Sequence, residues 1–276
     1  RSINPYRGCE HGCVYCYARP THSYLNLSPG LDFETRLVAK HNAAELLHRE
    51  LAARTYRVAH VAIGTITDAY QPIERELRLT RTVLQILSDT RHPLGIITKS
   101  ALIERDVDLL APMAAQGLAQ AFISVTSLDA KLSRILEPRA ASPQRRLRAV
   151  ATLARAGVPV HVNIAPIIPF INEPDIERIV EAAAQAGAAQ VHYTLVRLPW
   201  EVSPLFEQWL AVHFPDRAQR VMNRIRDMRG GRNYDATFGE RMKGTGTWAA
   251  LIAQRVAKAS ARHGLDRATP PLRTDL

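Results

Sequence analysis

The chain has 276 residues, 46% of them hydrophobic and 22% charged, which suits one large domain with a sizeable core. No stretch approaches the roughly 18 apolar residues of a membrane helix, and no charged leader precedes an apolar run, so the sequence predicts a cytoplasmic protein without a membrane span. The formal net charge of +10 sets an anionic partner, nucleic acid above all, against the plain composition of an Arg-rich chain.

In chain order, Ser2–Tyr6 reads as a first strand, and RGCEHGCVYCYARP follows it directly. All three cysteines of the protein, Cys9, Cys13 and Cys16, fall in that loop. Their number is odd and their spacing too short for useful disulfide loops, so they read as metal ligands in a reducing compartment. Gly8 and Gly12 let the backbone turn tightly around the thiols. Short β-branched runs at 58–65, 94–99, 119–125, 158–168 and 190–197 then read as strands buried on both faces.

Helical segments separate these runs. One follows Pro72 and another covers Ile103–Ala115. A third is capped by Ser142, with Pro143 first in the helix and Gly157 just past its end, and a fourth starts at Pro174 and stops before Gly187. The alternation means βαβ units and a parallel sheet, either an open partial barrel or a doubly wound sheet. In both, ligands bind at the carboxyl ends of the strands, where the cysteine loop lies. Residues 1–200 form this core, and 201–276 read as a helical extension packed on it. From Arg217 to Arg267 the extension holds twelve Lys or Arg against four acids. Its MKGTGTW stretch does not fit a phosphate-binding glycine loop.

Three thiolates fill three corners of a [4Fe–4S] cluster and leave one iron open to a small molecule. The competing chemistry is a structural zinc site completed by His11 or His22, although such sites usually draw on two separated ligand pairs. Cys9-x3-Cys13-x2-Cys16, with Tyr15 before the last cysteine, resembles the radical S-adenosylmethionine (SAM) signature. NPYRGCEHGCVYCYARP, GTITDAYQPIE, ITKS, Leu136–Arg139, NIAPIIP and FGERMKGTG together resemble the spore photoproduct lyase-like, "DNA repair photolyase" branch of that superfamily, over nearly the whole chain.

The resemblance implies a partial (β/α)6 TIM-like barrel. It implies that the cysteines bind three irons and that SAM chelates the fourth through its amino and carboxylate groups. One-electron reduction then yields methionine and a 5′-deoxyadenosyl radical that abstracts hydrogen from substrate, with a flavodoxin or ferredoxin as electron donor. Thr67 and Asp68 supply acceptors for the SAM ammonium, or cap a helix. Lys99 pairs with the carboxylate. Ser124, or its neighbour Ser127, takes the carboxylate or the ribose. Asn163 and Arg139 are further candidates, Arg139 being equally placed to pair with Glu137 on the surface. Adenine lies against Tyr15 and the backbone of Ile164–Pro166. The branch's further cysteine, its hydrogen donor, has no counterpart in AIGTITD. Tyr70 stands near, as a donor or as a packed ring, so thymine-dimer reversal by that route is not carried over.

Overall fold

The computed structural model describes residues 1–276. Six strands form its main sheet: β1 (Ser2–Ile3), β2 (Val61–Ile63), β3 (Leu94–Thr98), β4 (Ala119–Ser124), β5 (Val160–Ile167) and β6 (Gln190–Leu195). Every neighbouring pair is parallel, and the spatial order is the chain order. A doubly wound sheet reverses its order at a switch point. Sequential order with right-handed crossovers puts all the helices on one side and curls the sheet into an arc. The fold is therefore the open partial barrel, with β1 and β6 at its two unpaired edges.

Nine α-helices of more than one turn accompany the sheet: α1 (Ala43–Leu51), α2 (Leu79–Asp89), α3 (Val107–Ala115), α4 (Ala130–Leu136), α5 (Pro143–Arg155), α6 (Ile176–Gln185), α7 (Val202–His213), α8 (Pro215–Asp227) and α9 (Gly246–Arg262). Ser142 caps α5, accepting from the Arg145 N–H at 3.4 Å, with Pro143 in first position. The start expected at Pro174 is instead a 3₁₀ turn, Glu173–Asp175, and α6 begins at Ile176. The strands are shorter than their apolar runs. The expected first strand divides, and Tyr6–Arg7 turns away to pair antiparallel with Val38–Ala39.

The expectation that the strands are buried between two apolar faces needs correction. Their helix-facing residues (Val61, Ile63, Leu94, Ile96, Ala121, Ile123, Val160, Val162, Ile164) build the main core. The alternate positions face the inside of the arc and are far more polar. Ser124 lies beside Asn163, and Asn163 beside His192. One layer lower, Phe122 stacks on His161, which stacks on His192.

Residues beyond 200 divide between two cores. Ala249, Ile252, Val256 and Ala259 of α9 join the main core beside α6 and β6. Phe206, Trp209, Val221 and Ile225 of α7 and α8 pack with Cys13, Tyr15 and Leu136 over the mouth of the barrel. No helix is long and apolar enough to cross a membrane.

Candidate active site

The cysteine loop is moored from several sides. Gly8 has φ +80°, and a Cβ there would stand 2.9 Å from the Phe33 carbonyl oxygen, so the turn into Cys9 requires glycine. The Cys9 N–H then donates to Phe33 O at 2.9 Å, and the buried Arg19 reaches Cys13 O at 3.0 Å while pairing with Glu34. All three thiols line one pocket at the carboxyl ends of the strands. Cys9 and Cys13 are buried and Cys16 partly so. Burial pushes the Cys13 thiol up to about 12 and raises Cys9 as well. Such thiols ionise when a metal binds, not before it.

The same pocket contains every residue of the predicted SAM set: Tyr15, Thr67, Asp68, Lys99, Ser124 and Asn163. Hydrogen bonding divides these residues into two kinds. Thr67 donates its hydroxyl to Gly8 O at 2.6 Å and accepts from the Gln71 amide at 3.0 Å. Asp68 accepts from the Tyr70 and Lys99 N–H groups (2.9 and 2.7 Å) and the Thr98 hydroxyl (2.6 Å), and its Oδ2 lies 3.3 Å from His11 Nδ1. Burial alone would raise its pKa, but His11 and these donors hold it well below the usual carboxylate range. A carboxylate has about four acceptor sites, and three hydrogen bonds together with the His11 ring already occupy the surroundings of both oxygens. Thr67 and Asp68 thus tie the cysteine loop to the ends of β2 and β3.

Lys99, Ser124 and Asn163 are the other kind. The Lys99 ammonium makes no ion pair or hydrogen bond within the protein, and lies 5.9 Å from the centre of the Tyr15 ring. Burial opposes its charge, but Cys13 and Glu137 outweigh that and raise its pKa. The Ser124 hydroxyl and the Asn163 amide likewise have no protein partner, and the two residues sit side by side across β4 and β5. Ser127 is separated from Ser124 by this test, because its hydroxyl is occupied by the Asp129 N–H and by Asp175 outside the pocket.

Tyr15 lines the pocket with its ring and gives its hydroxyl to Glu137. Glu137 also accepts from Thr126 at 2.6 Å and pairs with Arg146, and both charged side chains are buried. The surface pairing of Glu137 with Arg139 is therefore corrected. Arg139 instead pairs with Glu10 at 2.9 Å, outside the pocket. Ala165 and Pro166 line the pocket where a bulge interrupts the β5–β6 ladder. Tyr70 is packed and outside the pocket. Of the two candidate zinc histidines, His22 pairs Nε2 with Arg36 O at 3.0 Å outside the pocket, while His11 lines the pocket with Nδ1 turned to Asp68.

Several pocket residues escaped the sequence reading. Thr194 comes from β6 and Arg197 from just past its end, and Met242 from the one-turn helix Glu240–Lys243 before α9. Arg197 has no carboxylate partner and stacks 4.0 Å from the centre of the half-exposed Tyr17 ring. Thr194 was detectable as the polar member of an alternating strand. Met242 had no local signal. The donor set fits an iron–sulfur cluster with SAM: three thiols, and beside them a cation, a hydroxyl and an amide without partners.

The model of the radical SAM superfamily matches residues 3–183. An uncharacterised protein of Mycobacterium tuberculosis is 36% identical over 221 residues, 79% of this chain and 65% of that protein. The chain thus spans about 65% of the length of such curated relatives. A spore photoproduct lyase complexed with dinucleoside spore photoproduct matches with a TM-score of 0.55 at 16% identity, over 94% of this chain and 71% of that one. SuiB of Streptococcus suis, bound to S-adenosylmethionine, matches with a TM-score of 0.58 at 15% identity, over 96% and 48%. At such identities these likenesses show the fold.

Proposed function

We propose a function from one premise, that the chain belongs to the radical SAM superfamily: it is an enzyme that cleaves SAM reductively and abstracts hydrogen from a base-containing, nucleic-acid substrate. Membership implies a [4Fe–4S] cluster and SAM. Together these supply a one-electron cleavage of the sulfonium to methionine and a 5′-deoxyadenosyl radical. The observation that carries the reading is the pairing of Cys9, Cys13 and Cys16 with Lys99, Ser124 and Asn163 in one pocket.

In this reading the three thiolates hold the cluster. Lys99 receives the SAM carboxylate in a charge-assisted contact, and Ser124 and Asn163 orient the carboxylate and ribose. The SAM ammonium falls to backbone carbonyls around Gly64–Ile66 rather than to Asp68, whose oxygens already accept three hydrogen bonds and face His11. Support for a base-containing substrate comes from Tyr17 under Arg197, from the exposed Phe238 near Arg241, and from the fold shared with the lyase named above. The reducing setting and a low-potential electron donor, a flavodoxin or ferredoxin, belong to the same proposal.

The test is anaerobic reconstitution with iron and sulfide, reduction, and assay of 5′-deoxyadenosine. Wild-type protein turns brown and releases it. Cys13→Ala abolishes both cluster and cleavage. A fully loaded cluster that leaves SAM intact would overturn the reading.

A further inference from the structure

A second cleft, of about 530 Å³, lies on the outer side of the cysteine loop. Segments after three successive strands line it together with that loop: Arg75 follows β2, Arg105 follows β3, Arg139 and Arg145 follow α4, and His11 comes from the loop itself. His11 also lines the active-site pocket, so the two cavities share this residue in their walls.

Four guanidinium groups face one carboxylate, Glu104, in this lining. Each guanidinium has five N–H donors and no acceptor. Arg75 is exposed, and its guanidinium makes no ion pair or hydrogen bond within the protein. Arg139 gives one nitrogen to Glu10 at 2.9 Å, and Arg145 gives one to Glu104 at 2.7 Å. The remaining oxygens of those carboxylates are taken, by the Ile73 N–H at 2.8 Å and the Thr152 hydroxyl at 2.9 Å. Arg105 is held by Glu74 and Asp106 and forms a fixed wall. The cleft therefore presents four guanidinium groups on several sides against a single lining carboxylate, which Arg145 already engages. That surplus suits an acceptor-only group with oxygens pointing in several directions.

We propose that this cleft binds the phosphate of a small phosphate ester, with Arg75, Arg139 and Arg145 as its ligands. A carboxylate presents two oxygens in one plane, whereas a phosphate presents three to donors on separate walls. The volume leaves room for the organic part of the ester beside the phosphate. The site lies outside the SAM pocket, and its occupant stands against the loop that holds the cysteines.

The experiment is calorimetric titration of the cluster-loaded, SAM-bound protein with inorganic pyrophosphate, which has no adenine and so does not compete for the SAM pocket. One site per chain is expected. Arg75→Ala with Arg145→Ala weakens it at least about tenfold, and Arg75→Lys with Arg145→Lys weakens it less, while reductive SAM cleavage is unchanged in both. Arg178→Ala, an exposed control far along the chain, leaves binding as it was. No binding to the wild-type protein, or an equal loss in the Arg178 control, overturns the proposal. So does a phosphorylated oligonucleotide that binds through these arginines when pyrophosphate does not. A protein that binds pyrophosphate here but cleaves no SAM would refute the proposed function and leave this site standing.

Discussion

Thr67 and Lys99 follow neighbouring strands, and what distinguishes them is whether their polar atoms already have partners. The hydroxyl of Thr67 is engaged with Gly8 O and Gln71, and the ammonium of Lys99 with nothing in the protein. Their substitutions should therefore fail differently. Thr67→Val loosens the cysteine loop, so iron content after reconstitution falls, while the loaded fraction keeps its SAM affinity. Lys99→Met keeps the iron and loses a charge-assisted contact of about 1.5–3 kcal/mol, roughly a ten- to hundredfold rise in the Kd for SAM. Iron analysis and equilibrium binding separate the two, and a normal Kd in Lys99→Met would sink the assignment. The convergence of the three thiols on one pocket was legible because all three lie within eight residues. The distinction between Thr67 and Lys99 was not, since it depends on Gly8 and Gln71 arriving from elsewhere in the chain.

Among elements, β5 and β6 show what an apolar run conceals. VHVNI and VHYTL share a two-residue alternation in which His161 and Asn163, and His192 and Thr194, point into the arc. That period was present in the sequence, but the flanking β-branched residues masked it. The connection from β4 to α5 holds the other hidden feature. Glu137 and Arg146 lie nine residues apart, and the short helix α4 ends where it brings the carboxylate under Tyr15. Burial would raise the Glu137 pKa, but Arg146, Lys99 and Thr126 hold it down to about 2, against the usual 4.5. A carboxylate depressed in the folded state stabilises it above the unfolded pKa, and that contribution is lost as pH falls from about 4.5 to about 2. Glu137→Gln should flatten this acid limb in melts recorded against pH. It also leaves Arg146 buried without its counter-charge, at a cost near neutral pH of about 3–5 kcal/mol. An unchanged acid limb would show that the pair does not carry that dependence.

For the whole molecule, the basic charge is less available than its total suggests. Arg229 is buried against the Glu240 and Val196 carbonyls, Arg224 stacks on Trp248, and Arg255 holds Glu173 and Glu177. Arg217 and Arg220 on α8 are exposed. If nucleic acid crosses this face, Arg217→Ala with Arg220→Ala reduces the slope of log K against log salt by roughly 1–2. Arg255→Ala lowers stability and leaves that slope alone. Binding that ignores salt would assign the +10 charge to composition. The sequence could count these arginines, but their partners lie on distant elements and were out of reach. The sequential strand order has one more consequence. Because β1 and β6 do not pair, the wall is an arc with a seam, and its two edges can move apart or together without breaking a ladder hydrogen bond. A closed barrel fixes its bore by strand number and shear. This one has no such fixed bore, so the chamber can tighten around a small guest or widen for a bulky one by flexing at the seam.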